Sequence, residues 1–442
     1  MKKYKVGFIS LGCPKNQVDT EVMLHKVMEA GYEITGEDID ADIIIINTCA
    51  FIESAQKESI DNILDAAWLK SRKLKSIIVT GCMAERFREE VMKEMPEVDA
   101  LIGCGSLDKI VEAVEAVSKG EKYTCFDDVN TCALGGERVI TTPEYSCYLK
   151  IAEGCDNRCT YCAIPAIRGK FRSRPMEDIV EEAKTLEGIG AKELVVVAQD
   201  ITRYGEDLYG SYRLAELLHR ITEATTIPWI RLLYCYPDKI TDELIEEIRT
   251  NPRIVKYIDL PIQHISDDVL RRMNRHGGSE AIRSAVRRLR AAIPDIVLRT
   301  TVITGFPGET EAEFEELCTY IKEEKFQHLG AFAYSREDGT PAASFPDQID
   351  EQLKQDRADK IMETQLEITD AYNREKLHKT IEVLCEGFDP VAETYYGRSA
   401  ADAPEIDGKV YFTSAQKCAE GEFVQVKVTE VMDYDLIGEA VK

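Results

Sequence analysis

Apolar positions in the N-terminal quarter of the chain fall into short runs that alternate with stretches of helical period. Runs of strand length occupy residues 5–10, 43–46, 76–80 and 98–102, and helical patterns occupy 20–30, 54–68, 86–95 and 107–117. This β-α-β order predicts a parallel sheet with helices on both faces. The strand runs are apolar throughout, which is typical of strands buried on both faces.

A second alternating series follows an irregular stretch at 119–140, where the pair Gly135-Gly136 indicates a linker. Its strand-like runs are 148–152, 194–198, 229–234, 255–259, 296–303 and 329–333, with helical patterns between them. Six such strands predict a partial (β/α)6 barrel. In a barrel of this kind the active site lies at the carboxyl ends of the strands.

The C-terminal part of the chain changes character twice. A long helix is predicted within 350–377, and short β-branched runs at 381–384, 410–413 and 423–428 predict a small antiparallel β barrel. The overall expectation is an α/β protein. Its predicted parts are an α/β domain at 1–118, a linker at 119–140, a barrel with its connecting helix at 141–372, and a β barrel at 373–442.

Three cysteines lie close together just after the first predicted barrel strand. Cys155, Cys159 and Cys162 fall within eight residues, and soft thiolates so closely spaced are usually metal ligands. Disulfides require pairs, and zinc commonly takes two separated pairs of ligands. The trio therefore favours an iron–sulfur cluster that leaves one iron free. A structural zinc completed by a distant residue is the alternative.

Three further cysteines share another position in the pattern. Cys13, Cys49 and Cys82 each follow the end of an apolar strand in the first domain. Because such strand ends converge on one crevice of an open α/β sheet, these thiols are expected to meet and to hold a second cluster. The alternative is that they are small buried core residues. No role is predicted for the other eight cysteines, which show no such placement.

Composition limits the location and the partners. Fourteen cysteines in a chain of 442 residues without an export signal indicate a reducing compartment, and we expect a cytoplasmic location. No apolar run approaches the roughly 18 residues of a membrane span. The formal charge of −25 opposes loose binding to nucleic acid, and residues 379–442 carry 6 Lys and Arg against 13 Asp and Glu. An acidic surface suits a basic protein substrate.

The loop from Cys155 to Cys162, with the aromatic Tyr161 before its third cysteine, resembles the signature of radical S-adenosylmethionine enzymes. The resemblance implies a 4Fe–4S cluster on these three cysteines, whose open iron is chelated by S-adenosylmethionine. One electron from a low-potential donor then yields methionine and a 5′-deoxyadenosyl radical. That radical abstracts hydrogen from an unactivated C–H bond, so the three cysteines are the predicted catalytic residues.

The order of the three domains resembles the methylthiotransferases within that superfamily. The resemblance implies a second 4Fe–4S cluster on Cys13, Cys49 and Cys82 that carries the inserted sulfur, and a C-terminal TRAM domain. Three segments are similar to the branch that modifies a ribosomal protein: 11–17 (LGCPKNQ), 47–52 (NTCAFI) and 397–408 (GRSAADAPEIDG).

The function that this branch implies is methylthiolation of an aspartate β-carbon in small-subunit ribosomal protein twelve, free or within the assembled subunit. Two S-adenosylmethionines are used, one as methyl donor and one as radical source. The alternatives are methylthiolation of an N6-modified adenosine in tRNA, and a scaffold that holds a cluster without turnover.

Residues beyond the cysteines are predicted from strand ends. Tyr161, Arg299 and Gly305 are expected to bind the cofactor. Arg299 would pair with the carboxylate of S-adenosylmethionine, and Gly305 would let the backbone approach the cofactor closely. A structural ion pair is the alternative for Arg299. The basic run 168–174 could bind the carboxylate or phosphate of a ligand or receive an acidic electron donor. The alternative is a solvated loop. Further strand-end candidates are Gln199, Asp200, Tyr234, Tyr236, Gln263 and His264.

Overall fold

Six parallel strands form the first sheet of the computed structural model, which describes residues 4–441. The strands are β1 (Lys5–Ser10), β2 (Glu33–Thr35), β3 (Ile43–Thr48), β4 (Ser76–Gly81), β5 (Ala100–Ile102) and β6 (Tyr123–Cys125), in the order β2-β1-β3-β4-β5-β6. The helices are α1 (Pro14–Glu29), α2 (Glu53–Trp68), α3 (Cys82–Phe87), α4 (Glu89–Glu94) and α5 (Ile110–Ser118). Ile44 and Ile46 face α2, whereas Ile43 and Ile45 face α1 and α5. The predicted two-sided burial is confirmed.

Three details of this domain differ from the sequence prediction. Strands β2 and β6 were not predicted, and β6 lies inside the predicted linker 119–140, where it pairs with β5. Both are three-residue edge strands without fully buried positions, so they leave no apolar run. Helix α1 begins at Pro14 instead of residue 20, because its first turns bury polar side chains against the next domain.

The second sheet is a partial barrel of six parallel strands, as predicted. The strands are β7 (Ser146–Lys150), β10 (Glu193–Val197), β11 (Trp229–Leu232), β12 (Ile254–Asp259), β13 (Val297–Thr304) and β14 (His328–Ala333), adjacent in chain order. A two-stranded ribbon of β8 (Ala152–Glu153) and β9 (Arg172–Ser173) flanks β7 in sequence. The helices of this domain are α7 (Met176–Gly188), α8 (Glu206–Tyr209), α9 (Leu214–Ala224), α10 (Asp242–Thr250), α11 (Asp267–Arg272), α12 (Gly278–Ala292) and α13 (Glu311–Glu324). The short helix α6 (Ile164–Arg168) packs instead against α3 of the first domain, where Ile167 joins the apolar cluster of that domain.

A long helix leads from this barrel to the C-terminal domain. Helix α14 (Glu351–Arg374) packs along β13 and β14. After it, β15 (Thr380–Asp389), β16 (Thr394–Ser399), β17 (Val410–Thr413), β18 (Phe423–Met432) and β19 (Asp435–Ala440) close into a barrel in the order β15-β16-β17-β19-β18. The pairs are antiparallel except β17 with β19. The sequence prediction missed β16, whose buried positions are Gly397, Arg398 and Ser399 instead of an apolar run, and β19, in which two of six residues are buried.

The C-terminal barrel is docked on the concave face of the partial barrel. Its Leu384, Ala403 and Phe423 belong to one apolar cluster with inward-facing strand residues such as Trp229 and Tyr257. The C-terminal domain thus fills part of the barrel interior.

No helix within residues 4–441 combines the length and the apolar character needed to cross a membrane.

Candidate radical and sulfur-transfer site

The three-cysteine loop lies beyond the carboxyl end of β7, where the sequence predicted it. Its start is fixed by Gly154, whose φ is +77° and where a Cβ would come 2.1 Å from the Lys170 carbonyl oxygen. The Cys155 amide donates to the Gly169 carbonyl at 3.1 Å, and the Thr160 amide donates to the Met273 carbonyl at 3.0 Å. Backbone contacts with two other segments therefore hold the loop in one conformation.

The loop sulfurs have few but specific partners. The Cys159 Sγ is 3.0 Å from the Tyr236 hydroxyl, and the Arg275 guanidinium stacks 3.8 Å from the centroid of the Tyr236 ring. Burial raises the pKa of the Cys155 thiol to about 11 and raises that of Cys162 further.

The donor set at this loop fits an iron–sulfur cluster. Three soft thiols converge with a hydroxyl and a guanidinium that can donate to sulfur, and hydrogen bonds to sulfur are the protein's means of tuning such clusters. Among residues 4–441, no group of three or more His, Cys, Asp or Glu side chains is arranged to hold a single metal ion.

The structure brings the strand-end loops of Cys13, Cys49 and Cys82 together. Gly12, with φ +90°, lets the Cys13 loop approach Cys49, because a Cβ there would lie 2.9 Å from the Cys49 Sγ. The buried Asn16 amide donates to the Leu11 carbonyl at 3.0 Å and to the Thr48 carbonyl at 2.9 Å. Burial and the neighbouring Cys82 and Cys13 thiols raise the pKa of Cys49 to about 11. Their role as cluster ligands remains a prediction.

A fourth thiol joins this trio. Cys104 is buried, and its neighbouring thiol together with the Arg168 guanidinium lowers the pKa of the Cys82 thiol. The prediction that no other cysteine shares the strand-end placement is wrong for Cys104, which follows β5 by two residues. The signal was present in the sequence, because the predicted strand run 98–102 ends two residues before Cys104.

Arg168 physically links the two cysteine trios. It ends the helix that follows Cys162, and its Nη2 lies 3.4 Å from the Cys82 Sγ. The same guanidinium pairs with Asp19 of α1 at 2.5 Å and with Glu153 at 3.4 Å, all three side chains being buried. Lys150 bonds to the same two carboxylates. The basic run 168–174 is therefore not a solvated loop: its Arg168 and Arg174 are buried in ion pairs.

The three residues predicted to bind the cofactor are not all close together. The Tyr161 ring packs edge-on against Phe306, next to Gly305, with centroids 6.5 Å apart. Arg299 instead pairs with Asp259 at 2.9 Å and approaches Asp407 of the C-terminal domain at 3.5 Å. The structural ion pair considered for Arg299 is the arrangement present, and cofactor binding by these residues remains a prediction.

Gly305 has a packing reason that the sequence could not reveal. Its φ is +69°, and a Cβ would lie 2.2 Å from the Lys354 Cγ of α14. Its amide donates to the Glu309 carboxylate at 2.8 Å. Burial raises the pKa of Glu309 to about 7, although Arg357 pairs with it at 2.9 Å. His264, another strand-end candidate, is fully buried, and burial lowers its pKa to about 3, so it stays neutral.

The remaining strand-end candidates line the junction between the domains. Gln199 donates to Glu153 at 2.6 Å, and Asp200 accepts from Asn157 of the cysteine loop at 2.9 Å. The Lys15 ammonium of α1 lies 3.5 Å from the centroid of the Tyr234 ring. The first two contacts lie within the partial-barrel domain, whereas the contact of Lys15 with Tyr234 joins α1 of the first domain to the segment that follows β11.

Each of the three domains of the chain matches a known protein family. Residues 149–321 match the Radical SAM superfamily, residues 379–441 match the TRAM domain, and residues 5–103 match the family described as uncharacterized protein family UPF0004. The barrel and its cysteine loop therefore define a radical S-adenosylmethionine enzyme with an additional N-terminal α/β domain and a C-terminal TRAM domain.

Relatives that match this chain over nearly their whole length show to which family of radical S-adenosylmethionine enzymes it belongs. The ribosomal protein uS12 methylthiotransferase RimO of Acetivibrio thermocellus is 50% identical over 449 residues, covering 100% of this chain and 99% of the relative. Its namesake from Geobacter sulfurreducens is 47% identical over 449 residues, covering 99% of each. The chain belongs to the family of ribosomal protein uS12 methylthiotransferases.

Solved structures share the fold at low sequence identity. A radical S-adenosylmethionine methyltransferase from Kitasatospora setae, bound to cobalamin and a 4Fe–4S cluster, matches with a TM-score of 0.56 and 13% identity, covering 77% of each chain. A cobalamin-dependent S-adenosylmethionine radical enzyme matches with a TM-score of 0.51 and 14% identity, covering 82% of this chain and 56% of that one. At such identities the likeness concerns the fold.

Proposed function

We propose that this enzyme methylthiolates the β-carbon of an aspartate in ribosomal protein uS12, using two S-adenosylmethionines. The single observation that carries the proposal is the juxtaposition of two cysteine trios through Arg168, in a chain that matches uS12 methylthiotransferases from end to end. Residues 141–372 would generate the radical, residues 1–118 would deliver sulfur, and residues 373–442 would contribute to substrate selection.

Cys155, Cys159 and Cys162 would hold the radical-generating 4Fe–4S cluster. When bound, that cluster and S-adenosylmethionine supply a one-electron cleavage that yields a 5′-deoxyadenosyl radical. The Gly169 and Met273 carbonyls hold the loop in place, and the Tyr236 hydroxyl, 3.0 Å from the Cys159 sulfur, would donate to that sulfur when it ligates the cluster. Tyr161 and Gly305 would bind the cofactor together, because the Tyr161 ring packs against Phe306, the residue that follows Gly305.

Cys13, Cys49 and Cys82 would hold an auxiliary 4Fe–4S cluster that carries the sulfur. Gly12 and Asn16 bring their loops together, and the Arg168 guanidinium donates a hydrogen bond to the Cys82 sulfur. Donors to a ligating sulfur stabilise its negative charge and raise the reduction potential of a cluster. The reaction also requires a low-potential electron donor as a partner.

The substrate is tested by comparing a deletion strain with a complemented strain. Mass spectrometry of uS12 should show the added methylthio mass only in the complemented strain, while tRNA adenosine modification stays equal in both. The acidic C-terminal domain, with 6 basic and 13 acidic residues over 379–442, supports a basic protein over tRNA. If uS12 keeps its added mass in the deletion strain and a tRNA modification disappears, the proposal is wrong and the tRNA alternative holds.

The two clusters are tested by a triple substitution of Cys13, Cys49 and Cys82 with Ala. After anaerobic reconstitution, iron should fall from about eight to about four per chain. Release of 5′-deoxyadenosine under dithionite should persist, while methylthiolation is lost. A matched control replaces Cys147, Cys318 and Cys385 with Ala, which are also buried, and should keep the full iron content. Iron remaining near eight in the first variant would show that these three cysteines are not ligands.

A further inference from the structure

A cavity of about 80 Å³ lies where the first domain, the segment that follows β6 and the partial barrel meet. Two thiols without a role in the proposed function, Cys104 and Cys132, both line it. Cys104 is 5% exposed, whereas Cys132 is half-buried between the exposed residues Thr131 and Ala133. The cavity therefore connects a thiol that solvent reaches with a thiol that lies inside the protein.

The inner end of this cavity adjoins the auxiliary trio of cysteines. Cys104 belongs to the same apolar cluster as Cys82. Arg168 also lines the cavity, and its Nη2 donates to the Cys82 Sγ at 3.4 Å. The charge of this guanidinium is balanced by Asp19 and Glu153. A sulfur atom carried by Cys104 would therefore lie beside a predicted cluster ligand.

The outer end of the cavity carries a cation without an ion pair. The Arg172 guanidinium of β9 donates to the Cys132 carbonyl at 2.7 Å and to the Cys132 Sγ at 3.2 Å. Within residues 4–441, no carboxylate oxygen lies within 4.0 Å of its nitrogens, and its buried Nε has no hydrogen-bond partner. An unpaired guanidinium stabilises negative charge that develops on a neighbouring sulfur. Cys132 is thus the better placed of the two thiols to react with a donor from solvent.

We propose that this cavity is the route by which sulfur reaches the auxiliary trio, with Cys132 as the acceptor of sulfur from a persulfide donor and Cys104 as the inner carrier. The inference rests on the proposed function, because each methylthiolation removes one sulfur atom that must be replaced. It names the class of reaction that supplies this sulfur, which is transfer from a persulfide.

The chemistry consists of two exchanges between sulfur atoms. The Cys132 sulfur attacks the terminal sulfur of the donor R–S–SH, the S–S bond of the donor breaks, and R–SH leaves as a persulfide forms on Cys132. The Cys104 sulfur then attacks the terminal sulfur of that persulfide, which restores the Cys132 thiol and leaves a persulfide on Cys104. Each step forms one S–S bond, breaks another and moves one proton between sulfurs, so neither step needs an oxidant or a reductant.

The test maps persulfides in the reconstituted holoenzyme after incubation with glutathione persulfide. They are alkylated and located by peptide mass spectrometry as the added mass of one sulfur atom on a cysteine. In wild type we expect this label on Cys132 first and then on Cys104. Cys104→Ser should accumulate the label on Cys132, and Cys132→Ser should leave Cys104 unlabelled.

Cys125→Ser is the matched control. Cys125 is also half-buried and precedes the same segment, but it does not line the cavity, so this variant should be labelled as wild type is. Label that still reaches Cys104 in Cys132→Ser would overturn the inference. The same holds if Cys125 of wild type is labelled as strongly as Cys132, because the reaction would then depend only on the exposure of a thiol.

Repeated turnover supplies a second readout. With glutathione persulfide as the sulfur source and no free sulfide, Cys132→Ser and Cys104→Ser should modify uS12 with the sulfur already bound and then stop. Wild type and Cys125→Ser should continue, and continued turnover in both relay variants would overturn the inference. Wild-type enzyme that is labelled on Cys132 and Cys104 but leaves uS12 unmodified would instead refute the proposed function, so the two failures are distinguishable.

Discussion

Docking of the C-terminal domain depends on a buried ion triad whose strength can be worked out. Glu193 of β10 accepts from Arg231 Nε at 2.7 Å and from Arg398 Nη2 of the C-terminal domain at 2.7 Å. The side chains of these three residues are at most 2% exposed. Replacing Arg398 with Met removes one cation from across the domain junction and leaves the volume nearly filled.

The expected loss follows from the charge state of Glu193. Burial alone would raise its pKa, but Arg398 and Arg231 hold it at about 2. Against about 4.3 in an unfolded chain, this corresponds to about 3 kcal/mol of stability at neutral pH. Breaking a buried pair by removing one partner typically costs about 3–5 kcal/mol. We therefore expect Arg398→Met to weaken the docked state by about 3 kcal/mol.

The sign of the pH dependence is fixed by the direction of the shift. Because the folded-state pKa of Glu193 is lower than the unfolded one, its contribution is complete above about pH 5 and is lost as the pH falls toward 2. The stability difference between wild type and Arg398→Met should therefore shrink progressively below about pH 4.

Tryptophan fluorescence can report this junction. The chain has two tryptophans: Trp68 is 59% exposed, and Trp229 packs edge-on against Phe423 of the C-terminal domain with centroids 4.9 Å apart. In a Trp68→Phe background without reconstituted clusters, Trp229 emission during urea unfolding follows the docked interface. Arg398→Met should lower the urea midpoint of that signal.

A surface pair provides the control. Arg374→Met removes an exposed i,i+4 pair with Asp370 on α14 and should leave the Trp229 transition unchanged. The reasoning would be refuted if Arg398→Met shifted the midpoint no more than Arg374→Met does.

Two further predictions concern the junction of the cysteine trios and the Gly305 turn. Arg168→Met should destabilise the packing of the first domain on the barrel by about 3–5 kcal/mol, because it leaves the buried Asp19 with one partner fewer. The expected result is a lower urea midpoint measured by circular dichroism, and an unchanged midpoint would contradict this prediction. Gly305→Ala should cost about 1–3 kcal/mol, since its Cβ would meet Lys354 at 2.2 Å. Gly339→Ala, with φ +81° and open space around it, should cost only about 1 kcal/mol in the same assay. Equal losses for both glycines would show that packing against α14 does not decide the Gly305 position.

Most strands of the two parallel sheets could be predicted from local patterns of apolar residues. The apolar runs located all six strands of the partial barrel and four of the six strands in the first sheet. Spacing alone identified the Cys155 loop, because its three thiols are neighbours in the chain. The short edge strands β2 and β6 were missed because partly exposed residues leave no apolar signature.

The sequence by itself determined the fold class, the two groups of cysteines and the order of the domains, since each is written in local periodicity or spacing. Only the tertiary structure decided the partners of Arg168, Arg299 and Cys104, because they are supplied by segments distant in the chain. It also decided that Cys104 and Cys132 line one cavity. Charge pairing and cavity shape depend on how the domains dock. No local pattern of residues encodes which distant segments come into contact.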